Sequence, residues 1–147
     1  MNFLRSLFGG KTAPQTHPAP EPAVSLAPRV LAIVFDPIMN TAGDKLSKLA
    51  RWETQANLAN QFMADILECS GGLGRYQLVE RIEVNEFPVK VDGFRYAPQS
   101  YAEVLRRTAP PHHPDTMNYQ EFLSRFNILS RVANNQIDEV WAFGRSE

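Results

Sequence analysis

A chain of 147 residues is long enough for one domain with a substantial core. A formal net charge of −1, a pI of about 6.3 and the lack of any long basic run exclude the broad positive field of a nucleic-acid binder. No stretch approaches the ~20 apolar residues of a membrane span, and a single cysteine, Cys69, rules out an internal disulfide framework.

Met1–Phe8 opens like a signal peptide. Arg5 and Ser6 interrupt its apolar segment, and Gly9-Gly10 ends it short of the usual ~7–15 residues. It reads as a short, weakly amphipathic terminus, which leaves the cytoplasm as the default location. Prolines at 14, 18, 20, 22 and 28 then forbid helix and ladder, and predict a semi-rigid extended linker. The expected organisation is a tail and linker over 1–28, followed by one α/β domain over 29–147.

Val30–Phe35 is an unbroken apolar run stopped by Asp36-Pro37, the pattern of a strand buried on both faces. Asn40–Trp52 is polar and mixed, with room for a short helical turn. Thr54 is placed to cap a helix whose Leu58, Phe62, Met63, Ile66 and Leu67 form one stripe, expected to be core. Cys69 is expected to be a small core residue of that helix. Ser70-Gly71-Gly72 and Gly74 follow a helix rather than a strand, so they read as a C-cap and not as a phosphate loop.

Tyr76–Phe87 alternates, with Tyr76, Leu78, Ile82 and Val84 on one face and Glu80 interrupting it. This predicts a half-buried, peripheral strand. Asp92-Gly93, flanked by Val89–Val91 and Phe94–Tyr96, predicts a β-hairpin with a type I′ turn. Ser100 is expected to cap a helix over 101–107. Asn118 with Glu121 predicts a capped helix carrying Tyr119, Phe122, Leu123, Phe126, Leu129 and Val132 on one face, closed by Asn134-Asn135. Glu139–Phe143 is a second strand of the buried kind.

These elements predict a three-layer, partly doubly wound sheet of strand order 2-1-3 with a hairpin insertion. In that order a crevice opens between the ends of the first and third strands. Asp36 and Asn40 stand on one side of it, Gly144 on the other.

The phrases VLAIVFDPI, ERIEVNEFPVKVDGFRY and IDEVWAFG resemble a family of uncharacterised, mostly bacterial, often exported α/β proteins. Its marks here are Asp36-Pro37, the segment Phe87, Pro88, Lys90, Asp92, Gly93, Phe94, Arg95, Tyr96, and the Glu139-Val140-Trp141 strand ending in Gly144. The family has no established activity, so the resemblance implies an organisation and possible export, not a mechanism. Its members continue past the glycine with a further domain half. The resemblance therefore implies a C-terminally shortened copy, with an exposed apolar sheet edge that favours self-association.

Asp36 is the strongest chemical candidate, as a general base or a ligand to a divalent metal. The competing reading is a carboxylate that caps the next turn. His112 and His113 are further metal candidates, although adjacent histidines on an extended loop point apart. Arg95 is a candidate anion site near the sheet edge. Two functions follow. One is a hydrolase-like enzyme acting on a small molecule through Asp36. The other is a non-catalytic module that binds glycan, peptide or protein, presented on the proline-rich linker. Asp36 beside other acids or histidines in the crevice favours the first, and a wide aromatic surface patch with no convergent polar groups favours the second.

Overall fold

The computed structural model describes residues 25–51 and 54–144. The expected tail and most of the expected linker lie outside them. β1 (Arg29–Phe35) is the central strand, with Val30–Phe35 all at most 5% exposed. Full burial of a large aliphatic or aromatic side chain contributes about 1.5–3 kcal/mol, so this run dominates the core. β1 pairs in parallel with β2 (Gln77–Val84) on one side and β3 (Glu139–Phe143) on the other, in the order β2-β1-β3.

The register explains the mixed pattern of β2. Ile82 pairs with Ile33 and Val84 with Phe35, and both point inward. A bulge between Val30 and Leu31 leaves Val79 without a partner opposite, and its side chain is exposed. Glu80, the interruption, sits opposite Leu31 and bonds both guanidinium nitrogens of Arg131, at 2.6 and 3.3 Å.

Two helical layers enclose the sheet. α1 (Leu46–Leu49) and α2 (Gln55–Cys69) join β1 to β2. α3 (Pro98–Leu105), α4 (Tyr119–Arg125) and α5 (Ile128–Ala133) join β2 to β3. Leu31, Ile33 and Phe35 pack with Phe122 and Ile128 of α4 and α5. On the opposite face Trp141, which pairs with Ala32, meets Phe62 of α2 with ring centres 5.2 Å apart. Beyond the carboxyl ends of the strands lies a second core of Met39, Leu46, Phe87, Tyr96 and Tyr101.

The caps follow the local chemistry. Thr54 Oγ1 accepts the Asn57 N–H and Asn118 Oδ1 accepts the Glu121 N–H. After α2, Gly71 takes φ +61°. The N–H groups of Gly71 and Gly72 then close on the carbonyls of Glu68 and Leu67. Asn135 closes α5 in the same way, at φ +54°.

Five expectations need correction. The helix over 119–132 is two helices, because Asn127 adopts φ +52° and restarts the chain in a new phase. That turn buries Ile128 and leaves Tyr119, Leu129 and Val132 exposed. α3 begins at Pro98, so Ser100 is not its cap. Ser100 Oγ instead accepts the Ala97 N–H from the third helical position. The Asp92-Gly93 turn is not type I′, since only Gly93 has positive φ. Lys90 O accepts the Gly93 N–H and Lys90 N donates to Phe94 O, a type I turn closed by a left-handed glycine. No ladder extends from this reversal, and Lys90 bridges Met117 instead. Finally, the α2 stripe is only partly core. Ala59 is buried, Met63 and Ile66 are half-buried, and Leu58, Phe62 and Leu67 are exposed. A three-stranded sheet is too narrow to cover a full helical face. Cys69, expected inside, is exposed at the end of the same helix.

Candidate functional site

At the carboxyl edge of the sheet, Asp36 follows β1 and its N–H donates to Val84 O. The carboxylate is 6% exposed and turns toward α1, not outward. Its Oδ1 accepts the Ser47 N–H at 2.9 Å and its Oδ2 accepts the Ser47 hydroxyl at 2.7 Å. Each oxygen thus accepts one bond from the first turn of α1, which has no side-chain cap of its own. Ser47, eleven residues on in the chain, had no signal that tied it to Asp36. Pro37 O accepts the Leu46 N–H and Asn85 Oδ1 accepts the Ile38 N–H, so the exit from β1 is bonded on both sides.

Asn40, expected at the crevice edge, is held in its own turn. Its amide bonds Asp44 Oδ2, and its Oδ1 accepts the Asp44 N–H. Bonds from Lys48 and Asn40 hold the Asp44 carboxyl below its usual range. Gly144 ends β3 against Phe35, where an added Cβ would stand 3.2 Å from the Phe35 Cβ. Asp36 and Gly144 thus share the expected end of the sheet, but Asp36 is engaged elsewhere.

The family-like segment forms a polar knot under the second core. Lys90 is 4% exposed, bonds Asp115 Oδ1 and His112 O, and stands 4.9 Å from the centre of the Tyr96 ring. Tyr96 Oη accepts the His112 N–H at 2.6 Å. The His112 ring stacks on Phe94 at 3.7 Å, and its Nε2 meets Asp92 Oδ2 at 2.7 Å. That contact, with the Phe94 N–H behind it, lowers the Asp92 pKa. Arg95, expected to bind an anion, pairs with Glu86, which Arg125 also contacts at 3.1 Å. His113 is exposed and shares none of these bonds. Sequence reading found the turn residues here but missed the pairing of Lys90 with Asp115, which lie far apart in the chain.

Each Asp36 oxygen accepts one bond from Ser47, and His112 Nε2 contacts Asp92. Among the described residues no three His, Cys, Asp or Glu side chains converge as ligands.

At the amino end of the sheet the surface is different. Glu139 accepts the Tyr76 hydroxyl at 2.9 Å and the Trp141 indole N–H at 3.1 Å. The Tyr76 bond raises the phenol's pKa, because its ionisation would set two anions side by side. Phe62, 50% exposed, closes this aromatic group from α2. Beside it an open groove of about 560 Å³ runs between Met63, Ala64 and Leu67 of α2 and Gly72, Gly74 and Tyr76. Gly74 sets its floor, since a Cβ there would lie 2.8 Å from Ile66 Cγ2. Sequence reading assigned Phe62, Met63 and Leu67 to the core, because helical spacing does not reveal how wide a sheet the helix must cover.

In comparisons with known proteins, the chain matches no family model, no curated protein and no solved structure. Among the described residues, no helix is long and apolar enough to cross a membrane.

Proposed function

We propose that this chain is a non-catalytic interaction module. It recognises an extended peptide or protein segment through the apolar groove between α2 and Tyr76. The observation that carries the reading is the state of Asp36. Asp36 is buried, each of its oxygens accepts one bond from Ser47, and among the described residues no group of three His, Cys, Asp or Glu side chains gathers to complete a metal site around it. The groove supplies what a binding surface needs. It has half-exposed apolar side chains, a nearby aromatic group and few convergent polar atoms. The hydrolase-like reading retains only the position of Asp36 at a strand end.

The test is a selection of random displayed peptides on the full chain, repeated on Leu67→Glu and on Asp36→Asn. Enrichment that disappears on Leu67→Glu and persists on Asp36→Asn supports the reading. Peptides that ignore Leu67→Glu, or that need Asp36, would overturn it.

A further inference from the structure

We infer that the groove is a regulated site, occupied in cis by the chain's own residues Phe3–Phe8. This rests on the groove being a peptide-binding surface, as proposed above. Three features of sequence and structure converge on that occupant. The first is where the chain enters. Leu26 bonds Leu73 O and accepts from the Arg75 N–H, and it bridges Gly74, so the preceding residues depart from the rim of the groove itself. The second is reach. The proline-rich stretch 12–25, at ~3.1 Å per residue, spans roughly 40 Å, whereas a helix of the length of α2 (15 residues) is about 22 Å long.

The third is chemistry. Residues 1–11 carry Phe3, Leu4, Leu7 and Phe8 with Arg5 and Lys11, and no acid. α2 carries Asp65 and Glu68, and no base. The one base on the groove rim, Arg75, donates through Nε to Gly72 O. An apolar segment thus faces an apolar groove with one base, Arg75, in its lining and two acids elsewhere on the same helix. Tethering through so short a spacer sets an effective concentration of about a millimolar, so even a weak contact would keep the groove filled until a tighter peptide displaces it.

Cys69 is exposed and is the only cysteine, so a nitroxide attaches beside the groove without any substitution. The measurement is the paramagnetic broadening of amide signals from residues 3–8 in the labelled full chain. It is compared with the same chain carrying Leu7→Asp and Phe8→Asp. Docking predicts stronger broadening in the parent at every protein concentration. It also predicts that a groove-selected peptide binds the double variant on the order of tenfold more tightly, the competitor being gone. Equal broadening in the two chains overturns the inference. So does broadening that grows with concentration, which would place the segment on a second copy, or a peptide affinity that is the same for the parent and the double variant. In each of these cases a selected peptide that still distinguishes the parent from Leu67→Glu leaves the proposed function standing.

Discussion

Single residues carry two contrasting electrostatic arrangements. Asp36 is a buried acid whose charge is balanced by directed bonds from one serine, with no cation among the bonds it makes. Asparagine keeps a side-chain acceptor for the Ser47 N–H. Asp36→Asn should therefore cost under about 0.5 kcal/mol and Asp36→Ala about 1–2 kcal/mol, the usual range for a lost cap. Chemical denaturation measures both, and equal losses would mean that the cap is not what Asp36 contributes. Lys90 is the reverse case, a buried cation with Asp115 as its counter-charge. Removing one member of such a pair leaves the other uncompensated, while an apolar replacement of similar shape removes the burial cost as well. Asp115→Ala should destabilise by on the order of 3 kcal/mol and Lys90→Met by clearly less. The opposite ranking of unfolding midpoints would show that the ammonium contributes something other than a satisfied buried charge.

At the scale of elements, turns and joints decide the geometry. Gly93 holds φ +86° in the reversal that returns the chain to Phe94. Space around it is open, so Gly93→Val acts through the backbone alone and should cost about 1 kcal/mol or more. An unchanged melting temperature would mean that the turn can relax to another form. β1 and β3 are joined at their amino ends by Arg29 and Asp138, whose side chains form a fork with N···O distances of 2.9 Å. The Arg29 guanidinium and N–H pull the Asp138 pKa down to about 2. The unfolded value is about 4, so the folded state binds the proton less readily. The contribution is complete above pH ~4 and disappears as pH falls toward about 2. Wild type should lose more stability across that window than Asp138→Asn, which has no charge to lose. Parallel loss in both proteins would remove the fork from the account.

The strands were legible because each strand pattern had one reading. Val30–Phe35 has no polar side to turn outward and is buried, whereas Glu139–Phe143, read as equally buried, is a shorter edge strand that is half-buried with Ala142 exposed. Their neighbours obscured more. The break at Asn127 was hidden because Tyr119, Leu129 and Val132 continue an apolar spacing that the fold leaves exposed. Ser47 was unreadable as the partner of Asp36, since their contact depends on how the loop after Pro37 returns.

At the scale of the whole molecule, the two ends of the sheet differ in kind. Beyond the carboxyl ends, where an open α/β sheet ordinarily receives a ligand, lie a second core and the Lys90 knot. At the amino end, α2 overhangs a narrow sheet and leaves apolar surface beside Leu26, where the described chain begins. The proposed recognition surface lies at the end opposite the one that topology alone points to. A calorimetric titration of one groove-selected peptide into wild type, Asp36→Asn and Leu67→Glu tests that assignment most directly. The account predicts the same affinity for wild type and Asp36→Asn, and loss of binding to Leu67→Glu. Full affinity in Leu67→Glu, with loss in a folded Asp36→Asn, would contradict it and return the site to the carboxyl end of β1.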